Sequence, residues 1–189
     1  MKIPSRKECF GLIKKMDMMD HIINHSIMVS NVALFLSIKL KKHSPNLNSR
    51  LATSAALLHD ITKTRSFNTK ESHSETGGLM LTELGYPEVG DIIRQHVILD
   101  SYEIHSPISE QEIVNYSDKR ILHDKVVSLD KRLEYIQLRY GSKKEFKDHI
   151  HRMWSNTVNL ENKIFCHLDI TPDQLSQCIT SRIKKQDWA

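Results

Sequence analysis

Apolar residues recur at spacings of three and four along nearly the whole chain, and this period constrains the fold more than any other feature. Cys9, Leu12, Ile13 and Met16 follow it, as do Met28, Val29, Val32 and Leu36, then Val89, Ile92 and Ile93. Later stretches repeat it with Leu129, Leu133, Ile136 and Tyr140, with Phe146, Ile150, Met153, Trp154, Thr157, Ile164 and Phe165, and with Leu175, Cys178, Ile179 and Ile183. Such spacing lines one face of an α-helix. No segment carries a convincing strand pattern, and there is no internal repeat or low-complexity tract, so the expected fold class is all-α. Helix starts are written as capping boxes at Ser5–Glu8, Ser109–Glu112 and Ser142–Glu145, in which a hydroxyl and a carboxylate satisfy each other's backbone donors. Pro87 and Thr171-Pro172 open further helices, while Gly85 and Gly141 are natural stops. The expected order includes helices from about Asp20 to Leu40 and from Leu51 to His59. Lys63 to Ser74 and Ile98 to Pro107 lack apolar periodicity and read as loops.

At 189 residues and 21.9 kDa the chain reads as one domain over 1–189, long enough for a sizeable core. Helices over 142–189 are expected to pack on a core at about 20–140. No apolar run approaches the ~18 residues that a membrane span needs. No apolar stretch follows the basic N-terminal residues, as a secretory signal would require. Cys9, Cys166 and Cys178 are scattered and form no CxxC, which argues against a disulfide framework or a zinc ribbon and favours a reducing, cytoplasmic setting. The net charge of +4 is compatible with a phosphorylated substrate or weak nucleic-acid contact, with a solvated basic surface as the plainer explanation. Eleven histidines are the compositional oddity.

Several of these histidines fall on inward faces. His25 shares the stripe of Met28, Val29 and Val32, and His96 ends that of Val89, Ile92 and Ile93. His59 and Asp60 close the apolar run from Leu51 to Leu58, where Ala52, Ala55 and Ala56 would let neighbouring helices approach closely. Asp118 shares a face with Val114 and Ile121, a costly place for a carboxylate unless it is paired or bound to a cation. His73 precedes Gly77-Gly78, a pair that signals close backbone approach. Neutral imidazole and carboxylate are donors that first-row divalent metals accept. Lys63, three residues after Asp60, is a candidate phosphate contact, with Arg65 behind it. Lys119 and Arg120 flank Asp118 and are either phosphate contacts or solvated charges. His105 reads as an exposed loop residue. His123-Asp124 repeats the dipeptide in a charge-dense setting and reads as a surface helix end. His149 and His151, two apart, face different directions and make a poor metal pair.

The order His25, His59-Asp60, Asp118, with the pair ending an Ala-Leu-Leu helix, resembles the HD-domain superfamily of metal-dependent phosphohydrolases. Ala55-Ala56-Leu57-Leu58-His59-Asp60-Ile61-Thr62-Lys63 is similar to its HDIG-type branch, with Thr62 where that branch has glycine. The resemblance spans about residues 20–140 and implies an HD-domain helical bundle with additional C-terminal helices. It implies that His25, His59, Asp60 and Asp118 hold a first divalent metal. His73 and His96 match the two extra histidines of binuclear members, in which the aspartate of the pair bridges both ions; Asp60 takes that role here. Iron or manganese would be favoured, with nickel, cobalt, magnesium or zinc possible. The implied reaction is attack of metal-activated water on a phosphoester or phosphoanhydride, with Asp60 and Lys63 as catalytic residues and Lys63 and Arg65 as substrate contacts. A small phosphorylated molecule, above all a nucleotide, is the implied partner; no membrane contact is expected, and nucleic acid is disfavoured as a partner. Alarmone hydrolysis is disfavoured because no Glu-Asp follows the pair, and cyclic-di-GMP hydrolysis because Val97 follows His96. Two rivals stand beside this reading. One is a mononuclear nucleotidase using only His25, His59, Asp60 and Asp118. The other is a non-catalytic regulatory or RNA-binding protein, supported by Lys39-Leu40-Lys41-Lys42 and Arg182 to Lys185. Nothing in the sequence fixes the oligomeric state.

Overall fold

The computed structural model describes residues 1–140 and 144–180, without the side chains at 140, 144–149, 151, 152 and 180. The Ser142–Glu145 box, the stop at Gly141, the side chains of His149 and His151, and the basic segment from Arg182 therefore lie outside the described residues. The elements run α1 (Arg6–Lys15), α2 (Asp20–Lys39), α3 (Ser49–Leu58), α4 (Lys63–Thr69), α5 (His73–Glu83), α6 (Pro87–Arg94) and α7 (Glu110–Lys119). A two-stranded hairpin follows, β1 (Ile121–Leu122) and β2 (Lys125–Val126), and then α8 (Leu129–Tyr140), α9 (Lys144–Phe165) and α10 (Leu175–Thr180). The fold class is all-α, as the periodicity requires.

A ten-residue helix, α3, sits at the centre. α3 packs against α1, α2, α6 and α7, and Ala52, Ala55 and Ala56 on it are fully buried. Small side chains there allow the neighbours to close in, and Asn48 caps the helix by accepting from the Leu51 N–H at 3.1 Å. α2 lies against both α3 and α7. By length and composition alone it could cross a membrane, because no charged side chain interrupts 21–38. This corrects the sequence-based statement that no such run exists. In the fold, 61% of the apolar window is buried against other helices, and the helix carries His25 into the interior. The boxes at Ser5–Glu8 and Ser109–Glu112 both form, and Gly85 stops α5 with φ +83°.

α5 and α6 cross with their backbones almost touching. A Cβ at Gly90 would lie 2.5 Å from the Gly78 carbonyl oxygen, and one at Gly78 would lie 2.8 Å from that of Gly90. Any side chain at either position would force the helices apart. The close approach expected at Gly77-Gly78 is thus real, and its counterpart is Gly90. The crossing matters because α5 begins with His73 and α6 leads into His96.

Two expectations need correcting. Lys63–Thr69 is a helix and not a loop. None of its residues is buried, so it has no apolar stripe to betray it. It continues the turn that follows Asp60 and ends at Lys70 in the left-handed region. His123-Asp124 is not a helix end but the turn of the β1–β2 hairpin, with His123 at φ +56°. A two-residue hairpin turn needs such a backbone, and the register Ile121↔Val126 and Leu122↔Lys125 is too short to leave an alternating pattern.

Candidate metal centre

Six side chains from three helices and the segments that follow α3 and α6 converge at the ends of the central helices. His25 comes from α2, His59 and Asp60 from the end of α3, His73 from the first residue of α5, His96 from just after α6, and Asp118 from α7. Asp60 is 1% exposed and His59 fully buried. His25 Nε2 lies 2.9 Å from Asp118 Oδ1, and His59 Nε2 lies 3.6 Å from the same oxygen. His59 Nε2 is 3.4 Å from Asp60 Oδ2. The other Asp60 oxygen, Oδ1, is 3.1 Å from His73 Nε2 and 3.6 Å from His96 Nε2, and those two ring nitrogens are 3.2 Å apart. One potential ligand atom from each of His25, His59 and Asp118 lies within 4.8 Å of the others, and the same holds for His59, Asp60 and His96.

The backbone aims three of the rings. His59 Nδ1 faces the Ala56 carbonyl at 2.7 Å, His96 Nδ1 that of Ile93 at 2.7 Å, and His25 Nδ1 that of His123 at 3.0 Å. A carbonyl can only accept, so in each neutral ring the proton sits on Nδ1 and the Nε2 lone pair points inward. Among the described residues, His59 Nε2 and Asp60 Oδ1 are buried without a hydrogen-bond partner. Buried polar atoms are normally satisfied. A ring nitrogen and a carboxylate oxygen left without partners among four imidazoles and two carboxylates fit a divalent cation. These residues are therefore the ones that would hold it.

Charge balance points the same way. Burial alone would push His59 down, but the carboxylates of Asp60 and Asp118 push it up to about 10. Burial and the neighbouring His59 charge push His96 down to about 3. Asp60 is opposed by burial yet held well below the usual carboxylate range by Lys63 and His59. Without metal, a proton on His59 thus stands in for the cation. His59 has a folded value above its unfolded ~6.5, so its contribution to stability is full below that pH and is lost as pH rises toward 10. His96 is opposite: its contribution is present above ~6.5 and lost as pH falls toward 3. Metal must displace the His59 proton, so its apparent affinity should rise with pH, by up to about tenfold per unit below 9. Thermal melts of chelator-treated protein with and without manganese should show a metal-induced gain in Tm that grows from pH 6.5 to 9. A gain that is flat or shrinks over that range would contradict this assignment of the proton.

Around the centre lies a cavity of about 490 Å³. Lys63, Phe67, His123, Arg132, Tyr135 and Met153 are among the residues that wall it, with His25, Asp60, His73, His96 and Asp118 at one end. Lys63 does line it, but its ammonium donates to Asp60 Oδ2 at 2.7 Å. Arg65 does not line the cavity and pairs instead with Glu71 at 3.0 Å on the surface. Its assignment as a substrate contact is not supported by this placement. Lys119 and Arg120 are neither solvated nor in the cavity. Buried Lys119 donates to the carbonyls of His96 and Val97, tying the end of α6 to α7. Arg120 binds Glu161 at 2.8 Å and the carbonyls of Val127 and Pro172. His105 is exposed, as expected.

The sequence reading missed three contributors. The hairpin turn at His123 supplies the carbonyl that orients His25. Thr62, where the HDIG-type pattern has glycine, sits at φ −103° and needs no glycine; its hydroxyl donates to the His73 carbonyl at 2.8 Å. It thereby links the turn carrying Asp60 to the start of α5. Arg132 occupies an inward position, between Leu129 and Ile136 at spacings of three and four. A cation on an apolar stripe was its available signal.

The profile of the HD domain family matches residues 22–170. An uncharacterized protein of Methanocaldococcus jannaschii is 26% identical over 135 residues, covering 65% of this chain and 79% of that one. A crystal structure described as a predicted HD superfamily hydrolase, from an uncultured Thermotogales bacterium, aligns with a TM-score of 0.47 at 21% identity, over 87% of this chain and 94% of that one. With the family match covering well over half its length, the chain belongs to the HD domain family.

Proposed function

We propose that this protein is a metal-dependent phosphohydrolase of the HDIG-type branch, cleaving a phosphoester or phosphoanhydride, and that its substrate is a nucleotide. The observation that carries the reading is the pair of buried, unpartnered atoms, His59 Nε2 and Asp60 Oδ1, among four further donors at one end of the cavity. His25, His59 and Asp118 would hold one ion and His73 and His96 a second, with Asp60 offering an oxygen to each side. Iron or manganese suits such a mixed imidazole and carboxylate set. Bound there, divalent ions supply a lowered water pKa and neutralise charge developing at phosphorus.

The chain's own residues do the rest. Lys63 holds Asp60 ionised and fixes the direction of its carboxylate. Thr62 and the Gly78–Gly90 crossing set the distance between the Asp60 turn and the two outer histidines. The cations along the cavity favour a phosphorylated ligand, and Phe67, Tyr135, Ile136 and Met153 offer it an apolar surface of the kind a nucleobase needs. A cytoplasmic setting suits such a substrate.

A screen of nucleotides and phosphodiesters with iron, manganese, nickel and cobalt supplied in turn tests the reading. Phosphate or nucleotide release that requires added metal and stops on chelation is expected. Absence of hydrolysis with every metal, together with salt-sensitive RNA binding, would instead favour a non-catalytic role.

A further inference from the structure

Arg132 differs from Lys63, Lys119, Arg120 and Lys163. Lys63 is bonded to Asp60, Lys119 to Asn115 and the carbonyls of His96 and Val97, Arg120 to Glu161, Tyr116 and two carbonyls, and Lys163 to Glu112, Ser106 and the Glu103 carbonyl. The side chain of Arg132 is only 15% exposed, yet its Nε is buried with no hydrogen-bond partner among the described residues. Among the described residues its anionic partner is Asp118 Oδ1 at 3.9 Å, beyond hydrogen-bond reach and already engaged by His25 at 2.9 Å. The Tyr135 ring lies 5.8 Å from the guanidinium carbon and holds the group against the cavity wall. Removing a guanidinium from water without acceptors is costly. Here Arg132 lines the cavity, and its terminal nitrogen Nη2 lies on the side of Asp118.

A plain counter-ion role for Asp118 explains this poorly. A divalent ion at His25, His59 and Asp118 would neutralise that carboxylate and leave Arg132 with no other anionic partner among the described residues. What does match a planar fork of donors is an anion with several oxygens, held through two of them at once. Lys63 commits one of its three donors to Asp60 and offers a point charge, where Arg132 offers a planar fork.

From this we infer that Arg132 is the phosphate-binding residue of the site, its guanidinium gripping non-bridging oxygens of the phosphoryl group seated at the metal cluster. The inference rests on the phosphohydrolase reading but makes a binding claim of its own. It assigns α8 the task of recognising the anion, while the helices of the central core hold the metal.

The test is calorimetric titration of inorganic phosphate into manganese-loaded protein, for the wild type, Arg132→Ala and Arg132→Lys, with metal content measured on each sample. Losing hydrogen bonds to a charged group should weaken phosphate binding roughly 10- to 100-fold in Arg132→Ala. Arg132→Lys should recover part of this, since it keeps the charge and loses the fork, and millimolar methylguanidinium should restore binding to Arg132→Ala. Metal content should be unchanged throughout. Equal phosphate affinity in wild type and Arg132→Ala would overturn the inference, as would a wild type that binds no phosphate. So would a loss of metal with unaltered phosphate binding per retained ion, which would mark Arg132 as a partner of Asp118 only. If phosphate binding depends on Arg132 while no substrate is hydrolysed, the hydrolase reading fails and the binding assignment stands.

Discussion

Replacing Asp60 with alanine should abolish metal-dependent hydrolysis, with a loss of at least about 1,000-fold, the scale seen when a member of a catalytic unit is removed. Asp60 lies against three of the centre's four histidines. Its Oδ2 lies 3.4 Å from His59 Nε2 and accepts from Lys63, and its Oδ1 lies 3.1 Å from His73 Nε2 and 3.6 Å from His96 Nε2. Alanine would remove both oxygens and leave the Lys63 ammonium without its carboxylate. Because that could also perturb folding, Asp60→Asn is the companion variant. It keeps the shape, removes the negative charge, and should lose activity nearly as fully while melting close to the wild type. Metal-dependent hydrolysis surviving in Asp60→Asn would remove Asp60 from the mechanism.

The largest expected loss of stability lies away from the centre, at Lys163 and Glu112. Lys163 Nζ donates to Glu112 Oε1 at 2.7 Å, with side-chain exposures of 4% and 5%. Glu112 Oε2 also completes the capping box by accepting from the Ser109 N–H at 3.0 Å. This pair joins α9 to the start of α7, the helix that carries Asp118. Lys163→Met would strand a buried carboxylate, and breaking such a pair costs about 3–5 kcal/mol. Urea denaturation should show a loss of that size, and adding Glu112→Gln should recover most of it because the stranded charge is gone. A double variant no more stable than Lys163→Met would mean that the loss comes from packing and not from the charge.

How far the sequence carried depended on whether a residue's role is written within its own helix. His25, His96 and Asp118 were legible because each sits on a periodic apolar stripe, where a polar side chain stands out. Asp60 was legible from its place at the end of an alanine-rich helix. The glycine signal at Gly77-Gly78 was legible, whereas Gly90 was not, since its partner is another helix. α4 was illegible because it buries nothing, and the hairpin because two residues per strand leave no alternation. Lys119 and Arg120 looked like solvated charges or phosphate contacts. Their acceptors lie at His96, Val97, Glu161 and Pro172, and no local pattern encodes contacts over such separations. Arg65 had the right charge and sequence proximity, but the helix that replaced the expected loop turns it toward Glu71. Thr62 shows the converse. A departure from the HDIG-type pattern proved compatible with the local backbone and gained a hydrogen bond to the His73 carbonyl.

The central claim is that His25, His59, Asp60, His73, His96 and Asp118 together hold two divalent ions. Elemental analysis of purified protein reconstituted with manganese tests it most directly, on the wild type and on a His73→Ala/His96→Ala double variant. The account predicts two ions per chain in the wild type and one in the variant. One ion per chain in both would favour the mononuclear nucleotidase, and a wild type that retains no ion would contradict the account outright.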